Sequence, residues 1–318
     1  MLRALLLLCG LLLFQADASA QKKKRETFTD PVKAGPDFAI QGEYVGNLPG
    51  PDGQDQKWGA QVIAQGDHRF EVMAYRGGLP GDGWDRSDPI KAAGKTENGV
   101  TKLKSDMGYA IVNKGSLTIY HDENQKLGEL KKVERKSPTL GMKPPKGAVV
   151  LFDGKTNDFN PGKTTKDGLL MVGQNSKRIF DKDFTLHLEF RTPFRSWATG
   201  QKRGNSGVYL QRRYEVQILD SFGLKGKRNE CGGLYGRKDC DLNMCYPPLS
   251  WQTYDIEFKV AKIEKGKVVQ PAMVTVKHNG VVIHDKVKLG RSPAKGGPLH
   301  LQNHGNPVHF RNIWAVIR

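Results

Sequence analysis

The stretch Asn205-Ser-Gly-Val-Tyr-Leu-Gln-Arg-Arg-Tyr-Glu-Val-Gln-Ile-Leu-Asp220 reads as two short strands, 207–211 and 214–219, facing each other across Arg212-Arg213. Side chains on a strand alternate between faces, so Val216 and Ile218 point one way and Glu215 and Gln217 the other. Asp220 falls on the face opposite Glu215 unless a bulge precedes it, which would bring it round to the polar side. Two carboxylates on one polar floor can serve as acid and base where burial separates their pKa values. The competing reading is the ordinary solvent-facing side of an antiparallel strand.

Working outward, the same pattern recurs at 184–191, 252–260, 272–278, 281–285, 299–303 and 308–317, with Asn279-Gly280 as a two-residue hairpin turn. No segment carries a long 3.6-residue apolar period with caps, so few helices are expected. Short antiparallel strands throughout 148–318 predict an all-β sandwich or jelly roll. Upstream, strands at 39–45, 58–64, 69–75 and 117–120 surround the Gly/Pro-rich turns of 77–88 and predict a small β-rich domain over 39–130. It gathers no catalytic cluster, and its role stays open. Lysines with Pro138, Pro144 and Pro145 mark 131–147 as a semi-rigid linker, and 21–38, opening Gln21-Lys-Lys-Lys-Arg25, reads as a mobile tether.

Residues 1–20 have the form of a secretory signal peptide: Arg3, the apolar run Ala4 to Phe14, and Ala18-Ser19-Ala20 as a small-residue cleavage site. Export to a periplasmic or extracellular location follows, and no later run reaches the ~20 apolar residues of a transmembrane helix. The 318 residues carry a net charge of +17, concentrated in 148–318, where 28 Lys and Arg face 15 Asp and Glu. Such a surface suits anionic glycans or an envelope surface. The basic residues are scattered without a nucleic-acid-binding motif, so no nucleic-acid partner is expected, nor any nucleotide cofactor. Beyond the leader the cysteines are Cys231, Cys240 and Cys245. In an exported chain they predict a loop staple through one pair among the three, with zinc disfavoured for want of Cys-x-x-Cys spacing.

A second candidate cluster is Gln302-Asn-His-Gly-Asn-Pro307 with Arg311 beyond it. His304 in that corner can relay protons or bind a metal near neutral pH. Arg311 can grip a carboxylate bidentately. Tyr209, Tyr235 and Trp251 are candidates for stacking on sugar faces.

Five ordered segments carry a resemblance: Leu151-Phe-Asp-Gly-Lys155, Asn205-Ser-Gly-Val-Tyr-Leu210, Arg213-Tyr-Glu-Val-Gln-Ile-Leu-Asp220, Trp251-Gln-Thr-Tyr-Asp-Ile256, and Leu301-Gln-Asn-His-Gly-Asn-Pro307 continuing to Arg311-Asn-Ile-Trp314. Together they resemble the 3-keto-disaccharide hydrolase domain family. The resemblance implies a concanavalin A-like lectin/glucanase jelly roll over 148–318, in bacterial, exported proteins acting on sugars oxidised at carbon 3. The substrate implied is a 3-keto disaccharide or glycoside, cleaved by elimination across carbons 1 and 2 followed by hydration. It assigns Glu215 as base, His304 as acid/base partner, and Asp220 as second carboxylate or metal ligand. Asn205, Tyr209, Arg213, Gln217, Tyr235, Trp251, Gln302 and Arg311 are the substrate-binding candidates. A divalent ion on Glu215, Asp220 and His304 is a candidate cofactor of open identity.

One departure from the family pattern is the cysteine-bearing insertion 225–244, expected beside the cleft. Glu215-x-Gln-x-x-Asp220 also resembles the Glu-x-Asp-x-x-Glu strand of retaining glucanases. Gln and Asp replace the last two acids, which argues against direct double displacement. The rival readings are a non-catalytic carbohydrate-binding module on the same fold and an envelope-associated scaffold. Sugar, linkage and oligomeric state stay open.

Overall fold

In the N-terminal domain eight strands alternate short or apolar side chains inward with polar ones outward, which lets a sheet close on itself. They are β1 (Gly42–Pro49), β2 (Asp55–Ala64), β3 (Arg69–Arg76), β4 (Ile90–Glu97), β5 (Val100–Ser105), β6 (Gly108–Asn113), β7 (Ser116–Tyr120) and β8 (Lys126–Val133). Each pairs antiparallel with the next, and β1 pairs with β8, closing an up-and-down barrel. The small β-rich domain is therefore this barrel, with four strands beyond those expected. The computed structural model describes residues 25–123, 125–290 and 296–318, so the expected signal peptide lies outside the described residues.

The C-terminal domain is a jelly-roll sandwich. Its strands are β9 (Val149–Phe152), β10 (Phe159–Asn160), β11 (Gln174–Ile179), β12 (Phe184–Arg191), β13 (Ser206–Leu210), β14 (Tyr214–Ile218), β15 (Gln252–Lys259), β16 (Lys262–Glu264), β17 (Lys267–Gln270), β18 (Met273–His278), β19 (Val281–Lys288), β20 (Pro298–Leu301) and β21 (His309–Ile317). One sheet runs β10-β11-β20-β13-β14, the other β19-β18-β15-β12-β21-β9, and β16 and β17 form a separate ribbon. The turn at Asn279-Gly280 has positive φ at both residues (49° and 82°), as a two-residue hairpin requires. Leu186, Leu188 and Phe190 from the six-stranded sheet meet Val208, Val216, Ile218 and Leu301 from the five-stranded one, all buried. Burying each such side chain stabilises by about 1.5–3 kcal/mol. Because these residues fill the inner face, their odd-numbered neighbours Tyr209, Glu215 and Gln217 must stand on the outer face of the five-stranded sheet.

The two domains are tied together at several places. Phe28, within the stretch expected to be a tether, exchanges backbone hydrogen bonds with Phe194 of the jelly roll (3.0 and 2.9 Å). Phe38 in helix α1 (Gly35–Ile40) meets the Phe194 ring edge-on at 5.4 Å, and Phe194 packs into the barrel's own core. Buried Arg203 reaches from the jelly roll to the carbonyl oxygen of Ala64 in β2 (3.1 Å). The stretch expected as a linker begins inside β8 and then crosses the outer face of the six-stranded sheet. There Thr139 donates to Asp255 (2.7 Å), the Gly141 amide donates to Glu189 (2.6 Å), and the Met142 carbonyl accepts from Asn312 (3.0 Å). Its prolines and lysines left it without apolar periodicity, but its backbone and hydroxyls find polar partners on that face.

Candidate active site

The floor of the site is the outer face of β13, β14 and β20. Glu215 of β14 lies opposite Tyr209 of β13, and Gln217 lies opposite Gly207. Gly207 is needed here because a Cβ at that position would collide with the Glu215 carboxylate. The Tyr209 hydroxyl donates to Glu215 Oε2 (2.8 Å) and accepts from Gln302 Nε2 (3.2 Å). Glu215 is 8% exposed, and its other oxygen, Oε1, has no hydrogen-bond partner. Burial pushes its pKa above the ordinary carboxylate value, opposed by the Tyr209 hydrogen bond and by the charge of His304. The same burial, with the Glu215 carboxylate beside it, drives the Tyr209 hydroxyl pKa upward, so Tyr209 stays a donor.

His304 sits in the corner between β20 and β21, close enough to act electrostatically on Glu215. Its carbonyl accepts from Asn306 Nδ2 (2.9 Å), while Asn306 Oδ1 takes the Gly204 amide (3.1 Å) and a guanidinium N–H of Arg195. The corner is thus pinned to the residue before Asn205, leaving the His304 ring exposed to solvent. Gln201, which the sequence reading passed over, joins two expected residues. Its Oε1 accepts from both Asn205 Nδ2 (2.9 Å) and Gln217 Nε2 (3.0 Å). Asn205 Oδ1 and Gln302 Oε1 are buried without hydrogen-bond partners. Such acceptors cost stability unless something donates to them, and sugar hydroxyls would.

His300, also unpredicted, tilts against Tyr209 at 5.5 Å between ring centroids, with Nδ1 3.0 Å from Asn175 Oδ1. Burial first, and Arg212 second, lower its pKa, which favours a neutral ring. Its signal was legible: on β20 it shares a face with Gln302. The insertion 225–244 does stand beside the site. The Tyr235 amide donates to the Glu215 carbonyl (3.1 Å), extending the sheet past β14. The Tyr235 ring is 44% exposed.

Other expected residues lie elsewhere. No bulge interrupts the β13–β14 ladder, and Asp220 turns inward instead of joining Glu215. Its carboxylate accepts from Arg203 Nε (2.7 Å) and from the Phe222 amide (3.4 Å), where it is 2% exposed. Arg311 belongs to β21 of the six-stranded sheet and Trp251 immediately precedes β15 there; the Arg311 guanidinium lies 4.0 Å from the Trp251 ring centroid and Nε donates to Glu189 (2.6 Å). Arg213 donates to the Gly296 carbonyl (2.7 Å) and Gln211 Oε1 (3.2 Å), bracing the hairpin loop.

The expected metal set does not assemble, because the Asp220 carboxylate is bound to Arg203. Among the described residues no three His, Cys, Asp or Glu side chains group to hold an ion. The three cysteines stand as free thiols instead of holding the expected disulfide. Cys231 and Cys245 are buried within the jelly-roll core, and burial raises the pKa of Cys240. No helix among the described residues is long and apolar enough to cross a membrane.

No curated protein matches the chain. Two solved structures of candidate glycosyl hydrolases from Parabacteroides distasonis ATCC 8503 resemble it. The first, at 2.13 Å resolution, is 30% identical over 55% of this chain and 85% of its own, with a TM-score of 0.48. The second, at 1.70 Å, is 18% identical over 54% of this chain and 94% of its own, with a TM-score of 0.41. The family model of the 3-keto-alpha-glucoside-1,2-lyase-like domain matches residues 147–316, which include β9 to β20, the Glu215 floor and the His304 corner. By that match over more than half its length, the chain belongs to the 3-keto-alpha-glucoside-1,2-lyase-like domain family.

Proposed function

We propose that the jelly-roll domain cleaves 3-keto glycosides by elimination followed by hydration, as an exported enzyme. The observation that carries this reading is Glu215: a buried carboxylate with one oxygen held by Tyr209 and the other, also buried, without a hydrogen-bond partner. A carbonyl at carbon 3 acidifies the hydrogen on carbon 2. Glu215 Oε1 takes that proton, and the electron pair of the C2–H bond moves into the enolate. The enolate then collapses, the C1–O bond breaks, and the leaving oxygen takes a proton from an acid, the role assigned to His304. Water adds to the resulting enone at carbon 1, with net hydrolysis. Gln302, whose amide already donates to Tyr209, and Gln217 are the neutral donors nearest the floor for substrate oxygens. None of these steps is assigned to Asp220, whose carboxylate is bound to Arg203.

The test is a 3-keto disaccharide incubated with the full chain in D2O, followed by NMR. Deuterium appears at carbon 2 as cleavage proceeds, and Glu215→Gln lowers both exchange and turnover by about 10²–10⁴-fold. Cleavage without exchange at carbon 2, or unchanged rates in Glu215→Gln, overturns the mechanism. Tight sugar binding without turnover by the unaltered chain would instead identify a carbohydrate-binding module.

A further inference from the structure

The N-terminal barrel encloses a cavity of about 500 Å³, within the roughly 300–1,000 Å³ span of small-molecule sites. It exists because inward-facing positions that would otherwise carry large residues carry Ala60, Ala74, Ala92 and Ala110. Ala60 and Ala74 are direct cross-strand partners, so the gap spans neighbouring strands at one height. Toward one end the barrel is shut by Tyr44, Phe70 and Phe194, all buried. Toward the other, the cavity runs out to the turns after β1 and β5, where the Met107 side chain is 63% exposed. Its walls are mainly apolar, with Gln56, Ser105, His121 and Arg76 among the polar lining residues, and an apolar space of this size holds an apolar guest better than ordered water.

One charge faces this space. Arg76 ends the inward-facing series Phe70, Val72, Ala74, Arg76 on β3 and is the only Lys, Arg, Asp or Glu among the lining residues. Its guanidinium lies 5.7 Å from the centroid of the Trp58 ring and acts electrostatically on the Asp85 carboxylate, and the residue is exposed at the end of β3. An apolar well with a guanidinium near its mouth matches a molecule with a hydrocarbon body and an anionic end. The geometry points to the barrel as a binding site for one long-chain carboxylic acid. Its chain fills the alanine-lined interior and its carboxylate meets Arg76. This site is separate from the Glu215 floor and does not depend on the sugar chemistry.

The probes are 11-(dansylamino)undecanoic acid, which is anionic, and neutral N-phenyl-1-naphthylamine, each titrated into the full chain. The expected result is saturable, one-to-one fluorescence enhancement for both, reversed by oleate. Ala74→Phe and Ala92→Phe fill the cavity and abolish binding, with circular dichroism and sugar cleavage unchanged. Arg76→Ala weakens the anionic probe by at least about tenfold, as loss of a charge-assisted hydrogen bond would, and leaves the neutral one unaffected. Should both filled variants misfold, quenching of Trp58 by a brominated fatty acid, compared with Trp58→Phe, reads the same site. Absence of saturable binding, or binding undiminished in folded Ala74→Phe and Ala92→Phe, overturns the proposal. Equal weakening of both probes by Arg76→Ala overturns the placement of the carboxylate.

Discussion

At the scale of single residues, Glu215 is set by what surrounds it. Gly207 removes the side chain that would displace the carboxylate, Tyr209 holds one oxygen, and burial raises the pKa. A base must be deprotonated, so the rate falls on the acid side as Glu215 gains a proton. Burial places that limb above the ordinary carboxylate value of 4.5. The Tyr209 hydrogen bond favours the charged form, so Tyr209→Phe raises the Glu215 pKa further. The expected outcome is an acid limb of kcat/KM displaced to higher pH in Tyr209→Phe, with the rate on the plateau affected less than the rate below it. A pH–rate profile of the two proteins checks this, and a limb that stays put or moves to lower pH removes Glu215 as the base.

Among the elements, the strap over the six-stranded sheet shows what residue patterning conveys and what it hides. The longer strands of the jelly roll are legible where one face is filled by β-branched, aliphatic or aromatic side chains, as in Phe184–Arg191, whereas β10, β11, β16 and β17, short or rich in polar residues, were not expected. β4, Ile-Lys-Ala-Ala-Gly-Lys-Thr-Glu, was not legible either, because alanine and glycine facing a cavity give no apolar alternation to detect. The pairing of Glu215 with Gln217 on one face followed from strand alternation alone. The inward turn of Asp220 did not, since it depends on Arg203, a partner supplied by tertiary packing. The strap itself escaped notice because its contacts are polar. Beneath it, Glu189 has its pKa held at about 2: burial opposes this, but His187, Asn312, Arg311 and the Gly141 amide outweigh it. Burial opposes charging of His187, yet Asp255 and Glu189 raise its pKa above the ordinary value. The Glu189 contribution is complete above pH 4.5 and lost as pH falls toward 2. The His187 contribution is complete below 6.5 and lost as pH rises through its raised folded value. The strap should therefore be most firmly held between pH 4.5 and 6.5. Hydrogen exchange at the Gly141 amide, corrected for intrinsic rates, should show greatest protection there. Glu189→Ala should lose about 1–3 kcal/mol by leaving polar partners unsatisfied. Protection that rises steadily above pH 7 contradicts this assignment.

The molecule as a whole is two β domains fastened by charge and aromatic packing, and Asp220 belongs to that fastening. Arg203 and Asp220 are 6% and 2% exposed, and the same guanidinium that meets Asp220 also reaches the Ala64 carbonyl in the barrel and the Ser196 carbonyl in the jelly roll. Burial raises the Asp220 pKa more than Arg203 lowers it, so the pair itself contributes little net stability. Breaking it is a different matter, because Asp220→Ala leaves a buried guanidinium without its partner, a loss of about 3–5 kcal/mol. Since Arg203 touches both domains, that loss should lower the unfolding midpoints of barrel and jelly roll together instead of uncoupling one from the other. Replacing both residues, as in Arg203→Met with Asp220→Leu, removes the stranded charge and should recover part of the stability. The turnover of folded Asp220→Ala, measured well below its melting temperature, should stay within a few-fold of the unaltered protein. A carboxylate serving as second acid or metal ligand gives the reverse pattern: turnover falls by orders of magnitude, the melting temperature holds, and the double replacement rescues nothing. Calorimetry and single-turnover rates on these two variants therefore decide whether Asp220 fastens the domains or takes part in the chemistry.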